Sequence, residues 1–280
     1  MNKNRDYIVK SNNQDIIRVR IDEDSKLKIL WLNEQSIKST SIDELCKAND
    51  YYLVSVDPEW DYEDDCYSSD GLCLNSYIGA NELTGEITIP NLIDNRRVTS
   101  VGNRAFYECK RIEQVELGEN IERLGDAAFC ICNSLRRINF PSRLKEISSD
   151  CFNECGFKEL IIPDTIKRIK RGAFVNNREL ERIELPNGIQ KIELMCFAGC
   201  KKLKSITIPE SVRVIEDGVF SGCESLETVK FPAGIEKIGT MAFLSCRQLK
   251  SVELPAGVEL GDMSFPENTE IHYLSRIPQP

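Results

Sequence analysis

One phenylalanine recurs along this chain at an almost constant spacing. Its copies are separated by 23, 23, 22, 23, 23, 23 and 22 residues, and they stand at Phe106, Phe129, Phe152, Phe174, Phe197, Phe220, Phe243 and Phe265. In most copies a cysteine follows three residues after the phenylalanine. A fixed period of this length is the signature of a solenoid. Because such a short repeat cannot bury its own apolar side, neighbouring repeats are expected to stack on one another.

Most repeats contain an alternating apolar segment that ends at a proline, as in Val229, Phe231 and Pro232. Alternation predicts a β-strand, and proline ends the strand because its ring nitrogen has no hydrogen to donate. A second apolar pair, such as Ile235 and Ile238, follows the turn. Stacked in register, these repeats predict a solenoid with a parallel sheet on one face and short strands and turns on the others.

The repeat resembles the leucine-rich repeats of the BspA type. Residues 101–109 and 238–246 both carry its [IV]-G-x-x-A-F-x-x-C turn, and the resemblance covers about residues 72–275. It implies a binding or adhesion module of the kind often found on bacterial or parasite surfaces. The commoner leucine-rich repeat has a polar ladder residue at positions where this chain has Ile121, Leu144, Ile166 or Ile189. An asparagine ladder is therefore not expected.

The first seventy residues lack the period. They are predicted to form a small acidic α+β cap, with strands at 16–21, 28–32 and 52–56 and a short helix at 41–46, whereas residues 71–280 form a solenoid of about eight coils with terminal caps. Two roles remain open for residues 1–70. They either shield the first repeat or form a separate interaction domain.

Charge argues against nucleic acid as a partner. The chain has 36 basic and 45 acidic residues, a net charge of −9, whereas binding to phosphates requires a basic surface. Acidic residues are concentrated at residues 57–65. Because this segment lacks the spacing of a calcium-binding loop, we interpret it as a solvated linker. No secretory leader or run of about 18 apolar residues is apparent, so we expect no membrane insertion and a cytoplasmic location. If a leader has been removed, the location is the cell surface or the medium.

Catalytic signatures are missing from the sequence. His272 is the only histidine, so histidine triads and histidine-rich zinc sites are not available. Neither the G-x-x-x-x-G-K-[ST] phosphate loop nor the G-x-G-x-x-G fingerprint occurs. Cysteines such as Cys155 and Cys200 occupy the repeating turn position, where Asn177 stands once, and are read as packed, reduced thiols. We expect no enzyme activity, no metal site and no cofactor.

The outward positions of the predicted strands are polar, of mixed charge and without aromatic side chains, which favours a protein partner over bases or sugar rings. We call this surface the strand face, and its predicted binding residues are Gln114, Glu116, Arg137, Asn139, Glu159, Ile161, Arg182, Glu184, Ser205, Thr207, Thr228, Lys230, Ser251 and Glu253. The leading interpretation is a non-catalytic scaffold that binds a partner protein through the strand face. The first alternative is a bacterial or parasite cell-surface adhesin whose leader was removed.

A second surface carries more basic residues. This basic flank comprises Arg123, Lys145, Lys167, Arg168, Lys191, Arg213 and Lys237. It reads either as a solvated flank with ion pairs between coils or as a site for an acidic partner. In the latter case, residues 57–65 would fold back over the flank as a competitor and regulate binding.

Overall fold

The structure is a computed structural model, which describes residues 6–11, 16–21, 27–31, 51–56, 60–64, 71–77, 83–93 and 96–274. The chain divides into two compact units, Met1–Asp61 and Tyr62–Pro280. Within the described residues the secondary structure consists of strands and turns, without a helix. The helix predicted at 41–46 lies outside the described residues.

The first unit contains an antiparallel sheet in the order β3-β2-β1-β4. Its strands are β1 (Asp6–Ser11), β2 (Ile16–Ile21), β3 (Leu27–Trp31) and β4 (Tyr51–Val56). The last three coincide, within one residue at each end, with the strands predicted from apolar alternation. The first was not predicted.

Three further strands precede the regular coils. They are β5 (Trp60–Asp64), β6 (Gly71–Tyr77) and β7 (Gly85–Ile89). The interpretation of residues 57–65 as a solvated linker is wrong for residues 60–64, because these form β5, which is hydrogen-bonded to β6. Residues 57–59 and residue 65 lie outside the described part of the chain.

The strand face is built from β7 and eight later strands, one from each coil. These are β10 (Ile112–Leu117), β12 (Arg137–Ile138), β14 (Glu159–Ile161), β16 (Arg182–Glu184), β18 (Ser205–Thr207), β20 (Thr228–Lys230), β22 (Ser251–Pro255) and β24 (Glu270–Leu274). The pairing is parallel, as expected. However, the predicted single sheet is divided into the groups β7-β10-β12, β14-β16, β18-β20 and β22-β24.

A second row of shorter strands carries the basic flank. It contains β8 (Leu92–Ile93), β9 (Arg96–Val101), β11 (Arg123–Leu124), β13 (Glu146–Ile147), β15 (Arg168–Ile169), β17 (Lys191–Ile192), β19 (Val214–Ile215), β21 (Lys237–Ile238) and β23 (Glu259–Leu260). Strands β5 and β6 extend the first part of this row, in the order β11-β9-β6-β5. Residues 60–64 therefore form the last strand in this order.

The recurring phenylalanines form one continuous stack through the solenoid. Neighbouring rings lie nearly parallel, with centroids 5.0 Å apart for Phe106 and Phe129 and 5.7 Å apart for Phe129 and Phe152. The series continues with similar spacing to Phe265. Each ring is buried, and burial of a side chain of this size stabilises a fold by about 1.5–3 kcal/mol. The stack fixes the distance between coils.

A ladder of cysteine thiols runs beside this stack. Cys132 Sγ donates to the carbonyl oxygen of Phe106 at 3.2 Å, and Cys155, Cys200, Cys223 and Cys246 repeat the contact with the phenylalanine of the preceding coil. Asn177 takes the same place and donates from Nδ2 to Phe152 O at 2.7 Å. The sequence did not predict this ladder, in which cysteine supplies most of the donors and asparagine occurs once.

Two residues in each turn have left-handed backbone, except in the last turn, around Phe265, where only Met263 has it. They lie two residues before and two residues after the phenylalanine, and glycine fills several of these positions, such as Gly218 and Gly222. Non-glycine residues fill others, including Met195 at φ 54° and Ile131 at φ 63°. This geometry recurs because each coil must reverse direction within a few residues on either side of the buried ring.

Candidate functional site: the strand face

The strand face follows the alternation predicted from the sequence. In β14, β16, β18 and β20 the central residue is buried and both neighbours are exposed. All predicted strand-face residues are exposed except Gln114 and Asn139, which are half-buried. The buried residues belong to the same core as the phenylalanine stack. The exposed side chains are therefore held on a backbone whose other side is packed.

Asn139 has a structural contact that sequence analysis did not predict. Its Oδ1 accepts a hydrogen bond from the Leu117 backbone nitrogen at 2.6 Å, and its Nδ2 donates to the Leu117 carbonyl oxygen at 2.8 Å. The side chain thus replaces the backbone pairing that would continue β12 beyond Ile138. Asn139 therefore links two coils, and both polar atoms of its amide are already hydrogen-bonded.

A groove opens on the strand face between β12 and β14. These two strands are fully described, and no backbone hydrogen bond joins Arg137 or Ile138 to β14. The groove encloses about 430 Å³ and includes Gln114, Glu116, Arg137 and Ile161 among its lining residues. A second groove of about 600 Å³ lies where β16 and β18 belong to different sheets.

The coil that follows the first groove is shorter than its neighbours. Phe157 occupies the place of Leu135 in the previous coil, but it stands two residues after the turn cysteine instead of three. The Gly156 nitrogen donates to Leu135 O at 3.0 Å, and a Cβ on Gly156 would collide with the carbonyl oxygen of Asn133. Glycine therefore permits the close approach of the two coils beside the groove.

Ile161 is the apolar residue of the strand face. Its side chain is 67% exposed, more than any other large apolar side chain in the described part of the chain. It pairs in register with Glu184, and its neighbours on the strand face are otherwise polar. Ile161 is therefore the one exposed aliphatic side chain among the fourteen strand-face residues.

Two exposed cations lie beside this position and were not among the predicted binding residues. Arg136 and Lys158 directly precede β12 and β14, and they have no acidic partner within 4.0 Å among the described residues. Arg137 lies 3.9 Å from Glu86, with both side chains largely exposed. The missed signal is the column of charged residues at or just before the start of each strand, which in successive coils holds Glu113, Arg136, Lys158, Glu181, Lys204, Glu227 and Lys250.

The basic flank is paired within the solenoid. Arg168 Nε contacts Glu193 at 2.7 Å, Lys191 contacts Glu216 at 2.8 Å and Lys237 contacts Glu259 at 2.5 Å. Three other members donate to turn carbonyls in their own coils: Lys145 to Ser142, Lys167 to Asp164 and Arg213 to Glu210. Arg123 is also engaged. These contacts favour the interpretation as a solvated flank with ion pairs between coils.

The cysteine thiols in the turns of the solenoid are buried, and burial lowers their reactivity. Nine cysteines within the described residues are buried and form no disulfide: Cys109, Cys130, Cys132, Cys151, Cys155, Cys196, Cys200, Cys223 and Cys246. Burial raises the pKa of Cys109 to about 12 and that of Cys130 to about 11. Because the thiolate is the reactive form, these groups are poor nucleophiles at neutral pH.

The described residues contain neither a metal-binding cluster nor a membrane-spanning helix. No group of three or more His, Cys, Asp or Glu side chains converges there as a metal site. In the same part of the chain, no helix has the length and apolar character needed to cross a membrane.

Comparison with known proteins agrees with this architecture. Residues 75–181 and 169–278 match the BspA type leucine rich repeat region, in six copies. A leucine-rich repeat protein from Bacteroides ovatus shares 24% identity and a TM-score of 0.59, over 79% of this chain and 67% of that chain. The T. pallidum leucine rich repeat protein shares 27% identity and a TM-score of 0.48, over 76% of this chain and 83% of the other. No curated protein matches significantly. By its repeats and its fold, the chain belongs to the BspA-type leucine-rich repeat family.

Proposed function

We propose that this protein is a non-catalytic scaffold that binds a partner protein through the strand face. The observation that carries the proposal is the row of exposed side chains on β10 to β22, with Ile161 as an exposed aliphatic residue within it. At about 4.8 Å between neighbouring coils, the seven strands of this row span roughly 29 Å, a length suited to one side of a standard interface.

The packing behind the strand face supports binding. Each exposed pair of side chains flanks a buried residue, and the coils are held by the phenylalanine stack and the thiol ladder. A partner that binds a preorganised surface does not have to order the backbone, so less of the interaction free energy is lost. Mixed charges such as Arg182 and Glu184 set the orientation of a partner more than the affinity.

Photo-crosslinking tests the proposal. A photoreactive phenylalanine analogue replaces Ile161, Thr207 or Lys230 in the full chain, and a fourth variant carries it at Met195. Met195 is a matched control because it is 50% exposed and apolar but lies on a turn next to the phenylalanine stack. Irradiation is carried out in the source cells and in their extracellular medium, and adducts are identified by mass spectrometry.

We expect one and the same protein to be captured from two or more strand-face positions and not from Met195. Capture by the Met195 variant alone, or by none of the strand-face variants, would contradict the proposal. The identity of the adduct also separates the two locations. An intracellular adduct supports the cytoplasmic scaffold, whereas an extracellular or host protein supports the cell-surface adhesin.

A further inference from the structure

The groove between β12 and β14 combines an exposed aliphatic side chain with two arginines, and Glu116 and Glu159 also line it. Ile161 borders it on one side, and Arg137 lines it on the other. The two side chains stand on consecutive coils and are displaced by one outward position along the strand. From strand spacings of about 4.8 Å between coils and about 6.8 Å between alternate residues, they are roughly 8 Å apart.

The coil of β12 has an unusual charge on the strand face. Its three outward-facing positions are Arg136, Arg137 and Asn139, so it carries two cations and no acid. The corresponding positions of the preceding coil include Glu113 and Glu116. The following coil has Lys158 and Glu159 at the positions of Arg136 and Arg137. Of these three coils, the coil of β12 is therefore the one with cations and no acid, and it lies immediately beside Ile161.

Both arginines are available to a ligand. Arg136 has no ion-pair partner among the described residues. The Arg137–Glu86 contact of 3.9 Å joins side chains that are 73% and 69% exposed, and an ion pair of this kind contributes little. By contrast, Arg182, on the other side of Ile161, is already paired with Glu184 of its own strand.

From these observations we propose that the groove binds an extended protein segment in which an acidic residue lies two residues from an aliphatic residue. Side chains at positions i and i+2 of an extended chain lie on the same face about 6.8 Å apart, which matches the offset between Arg137 and Ile161. The carboxylate is held by the arginines, whose planar donor groups suit carboxylate geometry. The aliphatic side chain packs on Ile161. This inference rests on the proposed function, because it names the part of the strand face that makes the contact.

A random peptide library tests the inference without a known partner. Phage displaying random eight-residue segments are selected on the immobilised full chain, and the enriched peptides are synthesised with a fluorescent label. We expect enrichment of an aspartate or glutamate two residues from a leucine, isoleucine or valine. Absence of a consensus, or a consensus rich in basic residues, would overturn the proposal.

Variants then locate the contact. Anisotropy titration of the enriched peptide should show at least tenfold weaker binding to Ile161→Lys and to the double variant Arg136→Glu/Arg137→Glu. Ile161→Leu should bind within about threefold of the parent, since it keeps the aliphatic surface. The matched controls are Lys250→Glu, an exposed cation several coils away that is not among the strand-face residues, and Met195→Lys, a half-exposed apolar residue on a turn. Both should change affinity by less than twofold.

Salt dependence supplies an independent reading. Raising sodium chloride from 50 to 300 mM should weaken peptide binding to the parent severalfold, and the double arginine variant should lose most of this dependence. Equal affinity of parent and Ile161→Lys, with both folded by circular dichroism, would overturn the proposal. If the library fails while crosslinking through Thr207 or Lys230 succeeds, this inference is wrong and the binding-scaffold function stands.

Discussion

The thiol of Cys132 donates to the carbonyl oxygen of Phe106, at a distance of 3.2 Å between sulfur and oxygen. The two residues belong to neighbouring coils, and each is fully buried. The recurring cysteine is thus hydrogen-bonded to the recurring phenylalanine of the preceding coil. The ring stack and the hydrogen-bond ladder therefore stabilise the same interface between coils. The solenoid depends on contacts between coils more than on contacts within one coil.

Substitution of Asn177 tests the ladder. Its Nδ2 donates to Phe152 O at 2.7 Å and to Phe174 O at 2.9 Å. Asn177→Ala should lower the free energy of unfolding by about 2 kcal/mol, because two hydrogen bonds of about 1 kcal/mol each are lost. Asn177→Cys should recover about half of this loss, since a thiol takes the equivalent place in neighbouring coils. Urea denaturation measures both.

The control for this substitution is Asn133→Ala, which removes an exposed amide and should change stability by less than about 0.5 kcal/mol. If Asn177→Cys is no more stable than Asn177→Ala, the thiol does not act as a stabilising donor.

The buried thiols also predict how stability depends on pH. Burial raises the pKa of Cys109 and of Cys200 to about 12, whereas a thiol in the unfolded chain titrates near pH 8.5. Below about pH 8 both states are protonated, so the stabilisation is complete. As the pH rises further, the unfolded state loses protons that the folded state keeps. Each such thiol therefore lowers the free energy of unfolding by about 1.4 kcal/mol per pH unit.

Urea midpoints at pH 7, 8, 9 and 10 measure this effect. The first two should be nearly equal, and a decline should begin between pH 8 and pH 9. Cys200→Asn is the matched variant, because Asn177 shows that an amide fits this position. Its stability should fall less steeply, by about 1.4 kcal/mol per pH unit for the one thiol removed. An unchanged slope would show that Cys200 does not contribute to the alkaline loss.

Much of the solenoid could be predicted from the sequence, because most repeats have the same local pattern of apolar and turn residues. The register of β14 with β16 places Leu160 opposite Ile183, as apolar alternation predicts. The division of the strand face was not predictable in this way. It depends on tertiary details, such as the Asn139 side chain that replaces a backbone pair and the glycine that brings a shortened coil close.

The candidate site also depends on tertiary details that could not be predicted from the sequence. Exposure of Ile161 followed from its outward position in the strand, but the groove beside it depends on how two coils separate. Likewise, the sequence displayed the cations of the basic flank without showing that Glu193, Glu216 and Glu259 lie across from them. Ion pairs between coils depend on the stacking register, which places residues about 22–25 positions apart side by side.

Glu193 links neighbouring coils and provides a third prediction. Its side chain is only 10% exposed, and it lies 2.7 Å from Arg168 Nε and 3.9 Å from Lys191 Nζ. Glu193→Gln should lower the free energy of unfolding by about 1–2 kcal/mol, because a mostly buried charged hydrogen bond is lost while Arg168 keeps contact with solvent. Thermal and urea denaturation at low salt measure the difference.

The matched control is Glu224→Gln. Glu224 lies 2.8 Å from Lys201, but both side chains are more than two-fifths exposed, so the loss should be much smaller than that of Glu193→Gln. Equal losses in the two variants would show that burial of Glu193 adds nothing to its ion pairs.

Ile131 carries the fourth prediction because a β-branched residue rarely adopts left-handed backbone. Its φ is 63°, and the equivalent position holds Asn176 in one later coil and Gly222 in another. Ile131→Asn should raise the free energy of unfolding by about 0.5–1 kcal/mol, since asparagine tolerates this conformation at lower cost. The half-buried position limits the apolar contact that is lost.

The reverse substitution, Gly222→Ala, separates backbone strain from crowding. A Cβ at Gly222 would meet its nearest atoms at 3.7 Å, an ordinary contact distance. Any destabilisation therefore reports the left-handed φ of 74° and should be about 0.5–1 kcal/mol, after the smaller entropy of the unfolded alanine chain is taken into account. Urea denaturation of both variants completes the test. If Ile131→Asn destabilises while Gly222→Ala is neutral, packing and not backbone strain determines the residue at this turn position.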